Sequence, residues 1–160
     1  MNHTTMESPI GPLLLAGDDG GLCFLSFAGK KGAVKPRSEW KENPAPFAGV
    51  IRQLRAYFSG ELTEFDVRLN LRGTPFQLRV WESLQEIPYG ETISYGQLAK
   101  RIRQPSAVRA VGLATGSNPI PIIVPCHRVI GSDGSLTGYG GGLSVKEKLL
   151  ALESRQLRLL

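Results

Sequence analysis

The sequence predicts an α+β fold in two parts, a small strand-rich unit followed by a mainly helical one. Three observations lead there. Short apolar runs divided by Gly- and Pro-rich turns fill the first part of the chain. Later come three helix-start patterns, each a Ser or Thr followed three residues on by Gln or Glu. Arg72-Gly73 separates the two regimes, so the expected domains are residues 1–72 and 73–160.

In the first unit, Met6-Glu7-Ser8-Pro9 leads into a turn at Ile10-Gly11-Pro12, and residues 13–16 read as a strand. Gly17-Asp18-Asp19-Gly20-Gly21 is turn chemistry, and residues 22–27 form the next strand. Residues 29–46, rich in Gly, Lys and Pro, are expected as a mobile surface loop. Phe47, Val50, Ile51, Leu54, Tyr57 and Phe58 recur at helical spacing, with Gly60 as the stop. Residues 64–69 alternate like a strand. The unit should hold three or four strands and one helix, and nothing in it looks catalytic.

In the second unit, Thr74-Pro75-Phe76-Gln77 opens a helix with Thr as N-cap, Pro at the first helical position and Gln closing the capping box. Phe76, Val80, Leu84 and Ile87 supply its buried face, and Pro88-Tyr89-Gly90 ends it. Ser94-Tyr95-Gly96-Gln97 opens a second helix to about Arg103. Gln104-Pro105 begins a third, running to about Thr115, and Ser144-Val145-Lys146-Glu147 opens a last one to about Ser154.

Composition narrows the function class. The start of the chain has no apolar signal core, and the longest apolar run, around Pro119 to Pro125, is far too short to span a bilayer. A soluble, cytoplasmic protein with no membrane partner is expected. Two cysteines, Cys23 and Cys126, are too few for a disulfide scaffold or a Cys-based zinc site. Cys23, in Leu22-Cys23-Phe24-Leu25, reads as a small buried hydrophobe. Residues 1–72 carry 9 Lys/Arg against 8 Asp/Glu, and residues 73–160 carry 10 against 6. A net of +4 in the second unit points weakly to a polyanionic partner, of which nucleic acid is the obvious one.

Residues 94–116 have the size of a helix-turn-helix. On the wheel of its second helix, Ala107, Ala110, Val111 and Ala114 share one side, and Arg109, Gly112, Leu113 and Gly116 share the other. Each glycine costs a helix roughly 1 kcal/mol against Ala, so the face that keeps two of them suits close approach of a bulky partner. An ordinary solvated helix fits the same pattern about as well.

The chemistry is expected at Asn118-Pro119-Ile120-Pro121-Ile122-Ile123-Val124-Pro125-Cys126-His127. Its prolines forbid a regular helix or a central strand, and the stiff lead-in delivers a thiol beside an imidazole. Ionising a thiol of pKa about 8.5 at pH 7 costs about 2 kcal/mol, which a base such as His127 can offset. Neighbouring side chains on an extended chain point apart, so a bend or a bridging water is needed. A carboxylate orienting His127 would complete the relay. Asp133 and Glu153 are the candidates, with Glu153, on the last helix, preferred. A buried thiol beside a structural imidazole is the plain alternative for the bare dipeptide. The stiff lead-in and the glycine loop Gly138-Tyr139-Gly140-Gly141-Gly142 weigh against it.

Taken together, these motifs resemble the O6-alkylguanine-DNA alkyltransferase family. Pro125-Cys126-His127-Arg128-Val129 is its signature, and matches run from Ser8-Pro9-Ile10-Gly11-Pro12 through Gly73-Thr74-Pro75-Phe76-Gln77, Ile87-Pro88-Tyr89-Gly90, Ser94-Tyr95 and Val108-Arg109-Ala110-Val111-Gly112 to Gly138-Tyr139. The resemblance implies an RNase H-like first unit and an alkyl-acceptor, DNA-binding second unit that enters the minor groove. It implies stoichiometric transfer of an alkyl group from O6-alkylguanine in duplex DNA to Cys126, and leaves activity on O4-alkylthymine open. By the same resemblance, His127 and Glu153 form the relay and Tyr95 donates toward the leaving guanine. Arg109 fills the gap left by the flipped nucleotide, with Ala110, Gly112 and Thr115 on the DNA face and Asn118 as the hinge. Val129, Tyr139 and Gly140 frame the base pocket. No metal or cofactor is implied, and a monomer is expected, with cooperativity on DNA left open. Gly140 and Thr115-Gly116 stand where relatives carry bulkier residues. The alternatives are a non-catalytic lesion-binding module, against which Cys126 speaks, and a Cys-His hydrolase, which has no use for Arg109 on a glycine face.

Overall fold

The computed structural model describes the backbone of Met1–Leu159 and the side chains through Arg155. Leu160 and the side chains of residues 156–159, in a tail to which the sequence assigns no role, lie outside the described residues. The chain divides into two compact units, Met1–Leu71 and Arg72–Leu160.

The first unit is built on a four-stranded sheet of order β3-β2-β1-β4. Strands β1 (Asn2–Met6), β2 (Leu13–Asp18) and β3 (Gly21–Phe27) form an antiparallel meander. β2 is apolar and buried up to its last residue, Asp18, and in the sheet Leu13, Leu15, Leu25 and Phe27 are buried. A 3-10 turn over Ala45–Phe47 leads into helix α1 (Ala48–Phe58), whose Leu54 and Tyr57 are fully buried.

Three sequence expectations for this unit need correction. Asn2–Met6 is a strand that the alternation did not reveal. Residues 29–46 are not all loop: β4 (Lys41–Glu42) pairs in parallel with β1, and Trp40 stacks on Phe24 at 6.1 Å between ring centroids. Residues 64–69 form no strand beyond a single bridge from Leu69 to Leu22. The Gln53 side chain from α1 takes both backbone groups of Asp66, accepting its N–H at 2.8 Å and donating to its carbonyl at 2.9 Å. A side chain has replaced the neighbouring strand.

The second unit contains α2 (Pro75–Leu84), β5 (Ile93–Ser94), α3 (Tyr95–Arg101), α4 (Val108–Gly116), a 3-10 turn over Cys126–Arg128, β6 (Val129–Ile130) and α5 (Leu143–Leu159). The capping boxes at Thr74/Gln77 and Ser94/Gln97 both form as the sequence requires. α2 buries Val80, Leu84 and Trp81, while Phe76 is half-buried. The Trp81 indole N–H donates to the Ala114 carbonyl at 2.8 Å, tying α2 to α4. A Cβ on Gly73 would stand 2.7 Å from the Trp81 ring, so this close approach requires glycine.

The third helix starts at Val108, later than Gln104-Pro105 suggested. Residues 103–107 are consumed by the exit from α3: Arg103 is left-handed at φ 61°, and Gln104 N–H reaches back to the Ala99 carbonyl at 2.9 Å. This is the six-to-one closure that glycine usually serves, here held by an arginine. Helix α5 begins at Leu143, so Ser144 lies inside its first turn and is not its cap. The Gly142 carbonyl accepts from Val145 and Lys146 N–H instead, both at 3.2 Å. Helix α5 also runs past Ser154 to Leu159. The two-residue parallel pair β5–β6, Ile93 opposite Val129 and Ser94 opposite Ile130, has no signal in the sequence. It matters because Tyr95 directly follows one strand and Cys126-His127-Arg128 directly precedes the other.

Candidate active site

The proline-rich lead-in is stapled by one side chain. Asn118 Oδ1 accepts from Ile120 N–H at 2.9 Å, and its Nδ2 donates to the Val124 carbonyl at 2.8 Å. Between these points Ile122 is left-handed, with φ 75°, and buried. For a β-branched residue that costs on the order of 1–3 kcal/mol, and it persists because the staple and the proline rings over-determine the path. The 3-10 turn that follows supplies the bend that places Cys126 and His127 side by side within the core.

Cys126 is 7% exposed and His127 is fully buried. Burial pushes the Cys126 thiol up to about 11, against a hydrogen bond from Asn118 and the positive field of Lys146, which lower it. At rest Cys126 is a neutral thiol. Burial likewise holds His127 below its ordinary value, against the opposing pull of Glu153. His127 Nε2 lies 2.6 Å from Glu153 Oε2. Burial pushes Glu153 up, but hydrogen bonds and charge from His127 and Arg128 together outweigh it and bring the carboxyl down to about 2. An ionised Glu153 at this distance places the imidazole proton on Nε2, leaving the lone pair on Nδ1. Nδ1 is buried with no hydrogen-bond partner among the described residues, as a base awaiting a proton would be.

Glu153 is held from three sides. The Arg128 guanidinium donates Nε to Oε1 at 2.8 Å and Nη2 to Oε2 at 3.1 Å, and Gly90 N–H donates to Oε1 at 3.1 Å. Arg128 itself donates Nη1 to the Ile87 carbonyl at 2.7 Å and lies over the Tyr89 ring at 5.6 Å. Lys146 is buried, and its Nζ donates to the carbonyls of Val129 at 2.7 Å and Thr137 at 3.0 Å. Burial lowers its pKa, opposed by Cys126. Arg128 and Lys146 escaped the sequence reading. Arg128 sits in the Cys-His motif itself, whereas Lys146 read only as part of a helix start.

Beside this relay lies an open cleft of about 720 Å³. It is lined by Tyr95 at the start of α3, by Val108, Gly112, Leu113 and Gly116 of α4, and by the loop from Thr137 to Gly140. Tyr95 Oη donates to the Thr137 carbonyl and accepts from the Thr137 hydroxyl, both at a long 3.4 Å. Neither Cys126 nor His127 lines this cleft.

Two matches decide what this arrangement is. The family model for the DNA-binding domain of 6-O-methylguanine DNA methyltransferase matches residues 75–155, and that for its ribonuclease-like domain matches residues 1–71. The chain belongs to the 6-O-methylguanine DNA methyltransferase family. Similar relatives are the methylated-DNA–protein-cysteine methyltransferases of Mycolicibacterium paratuberculosis, 59% identical over 97% of this chain and 93% of the relative, and of Methanosarcina acetivorans, 56% identical over 96% and 98%. The crystal structure of Mycobacterium tuberculosis OGT in complex with DNA superposes with a TM-score of 0.91 at 56% identity, covering 98% of this chain and 94% of that one.

Within this methyltransferase fold, the residues singled out from the sequence fall into two groups. Cys126, His127, Glu153, Asn118 and Val129 cluster in the buried network. Asp133, the other candidate carboxylate, is exposed and hydrogen-bonded to Ser135. Tyr95, Gly112, Tyr139 and Gly140 line the cleft, and Arg109 is exposed on α4. One placement differs from the helical wheel, and one from the DNA face that the resemblance implies. Ala110 is exposed, because α4 packs through Val111, Ala114 and Thr115. Thr115 is a helix residue facing inward, 3% exposed, with its hydroxyl donating to the Val111 carbonyl at 2.8 Å. It therefore presents no polar group on the face expected to meet DNA. Among the described residues no helix is long and apolar enough to cross a membrane, and no group of three or more potential ligands could hold a metal.

Proposed function

We propose that this protein repairs alkylated DNA by moving the alkyl group of O6-alkylguanine onto Cys126, once per molecule. The observation that carries this reading is the Glu153–His127 contact at 2.6 Å with the opposite imidazole nitrogen unpartnered beside a buried thiol. The target atom lies inside a base stack, so the nucleotide is flipped out at a cost of a few kcal/mol. Arg109 fills the gap it leaves. His127 Nδ1 takes the Cys126 proton through a bridging water, while Glu153, clamped by Arg128, stabilises the imidazolium. The thiolate attacks the alkyl carbon, so an S–C bond forms as the C–O6 bond breaks. Tyr95 gives its proton to the departing guanine, and solvent returns the proton of His127 to Tyr95.

The product thioether has no good leaving group, and nothing nearby regenerates the thiol. Val129 and the Tyr139-Gly140 loop frame the base, and the protein acts as a cytoplasmic monomer on damaged duplex DNA. The first unit serves a structural role.

The test is incubation with a duplex containing one O6-methylguanine, followed by peptide mass spectrometry. A methyl increment on the Cys126 peptide, saturating at one per protein, is expected. Steady turnover, or modification of Cys23 in place of Cys126, would sink the reading.

A further inference from the structure

Leu113 stands out from the outward face of α4 with 74% of its surface exposed, more than Leu143, Val108 or Leu78. The residues flanking it on that face are glycines. A Cβ on Gly116 would meet nothing within 4 Å, and one on Gly112 only the Tyr95 ring at 3.9 Å. Packing within the protein therefore demands neither the glycines nor the leucine. A polar side chain would cost the fold nothing at such a position, and a leucine stabilises only when another surface covers it. Leu113 is thus an apolar ridge flanked by glycines, more exposed than Val108, the other bare apolar side chain of α4.

The occupant follows from its neighbours. Arg109, one helical turn earlier on the same stripe and about 6 Å away along the axis, is exposed and cationic. The unit carries a net charge of +4 and matches a DNA-binding domain. Duplex DNA lined with sugars accepts both kinds of side chain, a cation and an apolar wedge set against an opened base step.

We propose that Leu113 is a bracing residue for the opened duplex: it packs on the sugars and the exposed base step beside the extruded nucleotide while Arg109 occupies the gap. This rests on the base-extrusion reading above. The brace acts on the duplex and not on the guanine, so it distinguishes substrates that share the chemistry but differ in the need for opening.

The test compares the rates of Cys126 alkylation by free O6-benzylguanine and by O6-methylguanine in a duplex. Leu113→Ala should lower the duplex rate about ten-fold more than the free-base rate, and Leu113→Met should recover most of that difference. In a Cys126→Ser background, 2-aminopurine beside the lesion should brighten less on binding when Leu113 is Ala. Equal proportional losses on both substrates would make Leu113 a wall of the base pocket and overturn the brace. An undiminished duplex rate would overturn it too. If the unsubstituted protein alkylates Cys126 with neither substrate, the extrusion reading itself falls.

Discussion

The buried relay and the outward face of α4 belong to the same unit and are built in opposite ways. Around His127 the charged and amide side chains are clamped: a carboxylate held by an arginine fork and a backbone N–H, a lysine on two carbonyls, an asparagine stapling the lead-in. On the cleft side two α4 residues have no side chain, a leucine is left bare, and the loop opposite meets Tyr95 only through long contacts. On the proposed function, the difference separates two tasks. A reagent must be aligned before its substrate arrives, and its surroundings can be rigid because nothing large enters them. A surface that receives a deformed duplex gains more from room than from order.

That contrast is testable by asking whether a substitution acts on every substrate or only on duplex DNA. Glu153→Gln should have the largest effect. It removes the carboxylate behind His127 and leaves the Arg128 cation buried without a counter-charge, so alkyl transfer should slow by about 10²-fold or more. The loss should be equal on free O6-benzylguanine and on duplex, and urea unfolding should show a stability loss of about 3–5 kcal/mol. A selective loss on duplex would break the contrast. Arg109→Ala should come next, slowing duplex repair by roughly ten-fold or more relative to the free base, since the cost of holding the stack open is no longer offset. Matched rate constants on the two substrates provide the check.

A third test uses the effect of pH on stability, which is small near neutrality. The folded pKa of His127 lies below its unfolded value near 6.5, so its contribution is complete above pH 6.5 and is lost as pH falls through that range. Glu153 behaves the same way lower down, its contribution present above pH 4.5 and lost toward pH 2, amounting to on the order of 3 kcal/mol in full. Stability from urea unfolding should therefore decline gently from pH 7 to 5 and more steeply below 4.5, and Glu153→Gln should remove the steeper part.

Local signals were the ones the sequence expressed well. The capping boxes at Thr74 and Ser94 depend on residues three apart and form as read. The Cys-His pair and its remote carboxylate were legible because few residue types can do that work and Glu153 lay on a helix able to return to the site. What stayed hidden depends on distant partners. Nothing local marks Ile93 and Val129 as paired strands, yet that pairing sets Tyr95 beside the Cys126 turn. Residues 64–69 have strand alternation, but Gln53 took the backbone groups a strand partner would have used. The resemblance put Thr115 on the DNA face, but its side chain is buried next to Ala114 and its hydroxyl turns back to the Val111 carbonyl, a partner only the folded helix supplies. Lys146 is a charged residue that burial would ordinarily forbid, and only the two carbonyls it meets explain its place.

The raised pKa of Cys126 bears on the lifetime of the molecule as much as on its reactivity. Peroxides and stray electrophiles react with thiolates, and a thiol held neutral and out of solvent is a poor target for them. A catalyst that turns over can survive an occasional misfire, because the next cycle begins from the same state. A protein whose acceptor is consumed by its first reaction has no second attempt. Burying Cys126 makes the group slow toward everything that does not arrive in the right place, so its shelf life is set by the same desolvation that the relay must overcome.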